Sequence, residues 1–281
     1  MKKVIITCDS TCDLTQEQKQ EFGIITQPLY VRMNDTEYKD GVDINTETLF
    51  QLVKTSGQLP KTAAVSMQDF LDLWKPYLEE GCEVVHVSLS GDLSACYLNA
   101  HLASEEVKGV YVVDGRNLST GTALLAIEGA IMAKEGKSAK EIYDVLMVKR
   151  DKVNASFVLD TVDYLAKGGR CSAVTAFAAG LLKLRLCIEV KDGKMDVCKK
   201  YRGKMSNVLQ EYVRERLSEK SDVELDRIFI TDSGISPEIR LLVEKTILEM
   251  KPFARVMFST AGSTIAAHCG PGTLGILFIN K

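Results

Sequence analysis

Three short apolar runs in the first 114 residues each lead through a loop into a helix-like stretch. They are Val4-Ile5-Ile6-Thr7, Val84-Val85-His86-Val87-Ser88-Leu89 and Val110-Tyr111-Val112-Val113-Asp114. The second is continuous rather than alternating, as in a parallel strand covered on both faces. Strand, loop and helix repeated in that order restrict a chain to a parallel, doubly wound sheet. The intervening helix signals agree. Thr15 or Asp13 can cap residues 16–22, and Gly23 ends them. Leu49, Phe50 and Val53 give residues 46–54 an apolar face, and Phe70, Leu71, Trp74, Tyr77 and Leu78 recur at helical spacing over residues 67–80. Such a stripe is usually core. Residues 24–33 read as one strand and residues 55–66 as a long connection bearing several hydroxyls.

After residue 152 the rhythm changes. Lys191-Asp192-Gly193-Lys194 joins two strand-like runs, residues 186–190 and 195–198, in a hairpin of the Asp-Gly type. Helices over residues 173–182, 205–218 and 237–250 alternate with strands over 155–159, 227–231 and 254–259. The expected architecture is α/β in two domains, residues 1–152 around a parallel sheet and residues 153–281 as a smaller α+β domain with a mixed sheet. No linker is evident near the boundary, so the two are expected to pack firmly.

The formal net charge of −3 lacks the basic footprint of a nucleic-acid binder. No apolar run approaches the length of a membrane span. The first residues turn polar after four or five apolar positions, unlike a signal peptide. The eight cysteines form no C-x-x-C pair and lie too far apart for a zinc site, so they are expected to be reduced thiols in a cytoplasm.

The densest chemical signal is His268-Cys269-Gly270-Pro271-Gly272-Thr273-Leu274-Gly275. Its glycine spacing imitates a dinucleotide fingerprint, yet no helix or distant acidic residue follows. There is no Walker A sequence and no G-x-S-x-G elbow. Cys269 and His268, as neighbours on a strand or turn, should point apart. The remaining signals suit binding. Thr62 and Ser94 place hydroxyls at loop ends, and Arg170 and Arg202 stand beside glycines. Hydroxyls and an imidazole can satisfy a carboxylate that would be costly to bury unpaired; arginines suit phosphate oxygens. Taken singly, each has a plainer reading: Thr62 and Ser94 as cap or turn residues, Arg170 as a surface ion-pair partner, His86 as a satisfied core histidine.

The order of motifs resembles the DegV family of fatty-acid-binding proteins, the substrate-presenting subunits of bacterial fatty acid kinase. The resemblance spans the chain. It rests on Asp9-Ser10-Thr11-Cys12-Asp13-Leu14, Pro60-Lys61-Thr62, Leu93-Ser94, Val113-Asp114, Gly168-Gly169-Arg170-Cys171-Ser172, Tyr201-Arg202-Gly203-Lys204 and His268-Cys269-Gly270-Pro271-Gly272. It implies a Rossmann-like N-terminal domain, a C-terminal domain with a mixed sheet, and a long-chain fatty acid in a tunnel between them. Thr62, Ser94 and His268 would hold the carboxylate, and Arg170 and Arg202 would face the acyl phosphate or the kinase. It further implies no catalysis by this chain, no cofactor and no metal. A separate kinase would make the acyl phosphate, which an acyltransferase at the membrane could take into phospholipid synthesis. Candidate tunnel walls are Phe50, Phe70, Trp74, Phe177, Leu181 and Leu182. The chain departs from the family pattern at Ala63-Ala64-Val65, at Ala95-Cys96 and at Leu184-Arg185-Leu186-Cys187. Two other readings stay open at this point: a small-molecule hydrolase or transferase using His268 with Arg170, and a regulatory interaction protein without a ligand.

Overall fold

The computed structural model describes residues 2–177, 184–218 and 222–281, with the backbone alone at residues 175–177. The first half runs β1 (Val4–Asp9), α1 (Gln16–Phe22), β2 (Ile24–Gln27), β3 (Tyr30–Met33), β4 (Thr36–Lys39), α2 (Thr46–Ser56), β5 (Lys61–Ala63), α3 (Met67–Glu79), β6 (Glu83–Ser88), α4 (Cys96–Glu105), β7 (Val110–Asp114), α5 (Thr120–Lys134) and α6 (Ala139–Lys149). The second half runs β8 (Val153–Val158), α7 (Asp163–Gly168), α8 (Ser172–Phe177), β9 (Leu184–Lys191), β10 (Lys194–Arg202), α9 (Met205–Ser218), β11 (Val223–Asp232), α10 (Pro237–Met250), β12 (Val256–Thr260), α11 (Ser263–Cys269) and β13 (Leu274–Asn280).

The molecule is α/β. Strands β2-β1-β6-β7 form a four-stranded parallel sheet, and β10-β9-β8-β13-β11-β12 a six-stranded mixed sheet in which, among the described residues, only β11 and β12 pair in parallel. Local chemistry explains many boundaries. Thr15 with Gln18, Ser66 with Asp69 and Ser138 with Glu141 close capping boxes at α1, α3 and α6, each satisfying two free backbone donors. Asp192 and Gly193 both take positive φ, 51° and 82°, as the two-residue hairpin turn between β9 and β10 requires.

Three expectations are corrected. Residues 24–33 are two strands, because Pro28 cannot donate to a ladder and the chain leaves the parallel sheet there. Its second part, β3, instead joins β4 and β5 in a small antiparallel sheet, so the connection after α2 contains a strand. Residues 263–269, just before the glycine turn, are a helix. The predicted helix over 173–182 extends beyond α8 into residues outside those described.

Helix α5 sits between the large sheets, packing on β1 and β6 on one side and on β8 and β13 on the other. From Thr120 to Ile127 every residue is buried, as expected of a helix covered all round. Helix α11, although late in the chain, packs among first-half elements: on α2, β3 and β5 as well as on α7. Two carboxylates from the first half hold its N-terminus. Gly262 N–H donates to Asp13 Oδ1 at 2.8 Å and Ser263 N–H to Asp40 Oδ1 at 2.7 Å. Both acids are buried, which raises their pKa values, Asp13 well above the usual carboxylate range. Asp13, at the end of the loop after β1, and Asp40, just after β4, therefore anchor the helix that carries His268.

Candidate functional site

A cavity of about 320 Å³ lies where the loops after β1, β6 and β7 meet β5, β10, β11, α11 and β13. In an open parallel sheet the carboxyl ends of the strands are the usual ligand position, above all where connections diverge. That divergence falls between β1 and its neighbours β2 and β6. Leu89, Leu93, Leu118, Phe157, Ile265 and Leu277 supply much of an apolar wall.

One end is polar. Thr62 Oγ1 lies 2.9 Å from His268 Nε2, a bond across 206 positions of sequence. Ser94 lines the same cavity, and its Oγ also accepts from Cys96 N–H at 3.3 Å, so it serves as cap and wall together. Arg170 is exposed, lines the cavity, and donates from Nη1 to Gly168 O at 2.7 Å. Thr62, Ser94, His268 and Arg170 are thus brought together. Arg202 is not with them: it ends β10 opposite Leu184, exposed and away from the lining residues.

The imidazole is tightly placed. A Cβ on Gly168 would lie 2.4 Å from His268 Nδ1, so the position needs glycine for space. Nδ1 is buried and, among the described residues, has no hydrogen-bond partner. Burial first, and then the nearby Arg170 charge, push the His268 pKa down to about 4. The ring is therefore neutral near pH 7. With its proton on Nε2 it donates to Thr62 Oγ1 and leaves the threonine proton free for a ligand oxygen.

The glycines behind it serve the turn. Gly270 and Gly272 have φ of 71° and 73°, and a Cβ on either would press on Tyr164 or Asp160, at 2.8 and 3.0 Å. Their close approach is to neighbouring side chains of the chain itself. Cys269, beside His268, is held by burial at a pKa of about 12 and offers no thiolate near neutral pH. Among the described residues no group of three His, Cys, Asp or Glu side chains could hold a metal ion, and no helix is long and apolar enough to cross a membrane.

Of the six expected tunnel walls, the three that can be placed lie off the cavity lining. Phe70 and Trp74 are fully buried behind the wall, in the cluster that Leu89 also joins, stacked with ring centroids 5.5 Å apart and packed on His86. Phe50 packs edge-on to Tyr164 at 6.1 Å. None of the three lines the cavity. Helical spacing reveals that a face is buried and is silent about what lies against it. The Phe177 side chain, Leu181 and Leu182 lie outside the described residues. The walls that sequence reasoning missed, Leu89, Leu93 and Leu118, occupy the strand-end loops that the α/β pattern itself marks.

Fold and cavity together define a class: an α/β protein of two large sheets and one small one, with a largely apolar chamber that has hydroxyls and a neutral histidine at one end. The chain belongs to the DegV family. The family model, described as "Uncharacterised protein, DegV family", matches residues 3–281. A protein of Thermotoga maritima named "Fatty acid-binding protein" is 32% identical over 282 residues, covering 97% of this chain and 96% of that protein. A DegV domain-containing protein of Clostridium acetobutylicum is 30% identical over the full length of both. Among solved structures, a DegV family protein from Thermus thermophilus described by its fatty acid binding superposes with a TM-score of 0.91 at 27% identity, covering 99% of this chain and 100% of that one.

Proposed function

We propose that this chain binds one long-chain fatty acid in the cavity and presents its carboxylate at the end formed by Thr62, Ser94 and His268. The observation that carries the reading is the Thr62–His268 bond set at one end of an otherwise largely apolar chamber. The two relatives described by fatty acid binding support it. Thr62 and Ser94 would donate to the carboxylate, and His268 would act through Thr62. Burying a methylene contributes about 0.8 kcal/mol, so a chain of about fifteen gives on the order of 12 kcal/mol gross, of which several are lost on association. Affinity then comes from the wall and orientation from the polar end. A hydrolase or transferase built on His268 and Arg170 fits less well, since the chamber behind the histidine is mainly apolar.

The chain would act without cofactor or chemistry of its own, in the cytoplasm, as the binding subunit of a fatty acid kinase whose acyl phosphate feeds phospholipid synthesis through an acyltransferase. Residues 1–152 and 153–281 would form the two domains flanking the acid. Arg170, exposed and among the lining residues, would stand where a kinase reaches the carboxylate. Arg202 would meet the kinase further out.

Calorimetric titration with palmitate and oleate tests the binding step, with saturable binding at one acid per chain expected and no heat from either acid counting against it. With a purified fatty acid kinase and ATP, Arg202→Ala should keep acid binding and lower acyl-phosphate formation several-fold. Unchanged turnover removes Arg202 from the presenting surface.

A further inference from the structure

Seven of the eight cysteines are buried, and Cys198 is exposed. The fold sets that thiol beside a buried one. The Asp192-Gly193 turn fixes the β9–β10 register, which pairs Lys194 with Lys191 and runs on unbroken to Val197 opposite Ile188. There the register slips, and Lys199 stands opposite Cys187. Cys198 is the extra residue of a one-residue bulge. At such a bulge two residues of one strand oppose a single residue of the other, so Cys198 and Lys199 both stand against Cys187. Cys198 Sγ lies 3.4 Å from the carbonyl oxygen of Cys187.

The two thiols differ as an attacking and a resolving group must. Cys187 is buried in one cluster with Val208, Leu209 and Tyr212 of α9. Cys198 reaches solvent, and a hydrogen bond between the two thiols lowers its pKa while raising that of Cys187. The Arg216 guanidinium, held by Glu189 and Asn154 at 3.2 Å each, further favours a thiolate at Cys198. An accessible thiolate beside a second thiol suits reaction with a peroxide followed by disulfide closure. Cys8 and Cys12 also share a hydrogen bond, but both are fully buried, out of reach of an oxidant.

We propose that Cys198 and Cys187 form a reversible disulfide when the protein meets hydrogen peroxide, with Cys198 attacking and Cys187 resolving. First, Cys198 Sγ attacks one peroxide oxygen. An S–O bond forms, the O–O bond breaks, and the departing hydroxide takes up the proton that Cys198 gave up, leaving as water. Cys198 is now a sulfenic acid and no longer holds the Cys187 proton in a hydrogen bond. Cys187 Sγ then attacks Cys198 Sγ. The S–S bond forms, the S–O bond breaks, and the hydroxide leaves with the Cys187 proton as water. Two thiols and one peroxide give one disulfide and two waters, and a dithiol reductant reverses the change. Neither cysteine lines the cavity, so this redox site is independent of the fatty-acid reading.

Peptide mapping of the reduced full chain after exposure to hydrogen peroxide tests this, with free thiols alkylated in denaturant before trypsin is added. Cleavage at Lys191 and Lys194 separates the two cysteines, so only a disulfide keeps their peptides joined. The joined Cys187–Cys198 pair is expected as the main oxidised product and should vanish on treatment with dithiothreitol. Cys187→Ser should accumulate a sulfenic acid on Cys198 that dimedone traps. Cys198→Ser should slow oxidation of Cys187 about tenfold or more. A thermal melt checks that each variant folds, and the wild-type map decides the matter without them. Recovery of both cysteines in alkylated form, after peroxide sufficient to oxidise free glutathione, overturns the proposal. So does a Cys198 disulfide made to another cysteine or between two chains.

Discussion

Two histidines, His86 and His268, occupy positions that composition alone would treat alike. His86 lies in the middle of β6, fully buried, with Nδ1 2.9 Å from Thr7 Oγ1 and Nε2 3.4 Å from Asp9 Oδ1. Phe70 and Trp74 cover its ring, and Ser88 Oγ and Leu89 N–H satisfy the other oxygen of Asp9 at 2.7 and 2.9 Å. Every polar direction faces protein, so the residue holds structure. His268 ends a helix instead, bonded through one nitrogen to a cavity hydroxyl and pressed on a glycine at the other. Its environment is arranged toward the chamber. The two differ in what their hydroxyl partners face: Thr7 is buried in the core, whereas Thr62 lines the cavity.

The contrast can be broken most sharply by removing each ring. His86→Ala should lower the stability of the free protein by about 3 kcal/mol, because it combines a core void with a buried carboxylate oxygen that loses its neighbour. Urea unfolding measures this, and a loss under about 1 kcal/mol would mean His86 is not the closed core residue described. His268→Ala should cost less stability and weaken fatty acid binding about tenfold. Combined with Thr62→Val its effect should be markedly less than additive, because one hydrogen bond joins the two residues. Strict additivity would mean that His268 does not work through Thr62.

A pH series sharpens the same point. The His268 pKa is pushed down to about 4 in the folded protein, whereas an unfolded histidine titrates near 6.5. As pH falls, the unfolded chain takes up the proton first, so stability is lost from about pH 6.5 down to about 4 and levels off below. The full loss from this group is at most about 3 kcal/mol, reduced where the ring opens on the cavity. Asp13 and Asp40, whose pKa values are raised, act in the opposite sense, their contributions being lost as pH rises through their folded values. The difference between wild type and His268→Gln isolates the histidine, and parallel stability curves across that range would contradict its buried neutral state. The smallest effect is geometric. Gly168→Ala would displace the imidazole and should weaken acid binding by about 1 kcal/mol, with calorimetry as the measure.

What could be read in advance follows the range of the forces involved. The β9–β10 hairpin was legible because Asp192-Gly193 meets a local backbone demand, and the parallel sheet because Val84, Val85 and Val87 in β6 show no alternation of apolar and polar faces. Helix α11 was not: Ser263-Thr264-Ile265-Ala266-Ala267 has no apolar period, and its N-terminal partners, Asp13 and Asp40, lie more than 200 positions away. The meeting of Thr62 with His268 has no local signature either. Motif order singled those residues out, and the fold put them within a hydrogen bond. Phe70 and Trp74 failed as wall residues for the converse reason, since periodicity fixed their burial and left their neighbours unspecified.

The central claim is that the chamber beside Thr62 and His268 is an acyl site. Mass spectrometry of an organic extract of the full chain purified from cells tests it most directly. The account predicts a co-purifying long-chain fatty acid at about one per chain, with lower occupancy in His268→Ala in keeping with its about tenfold weaker binding. A wild-type protein that yields no fatty acid and also fails to take up added palmitate or oleate would contradict it.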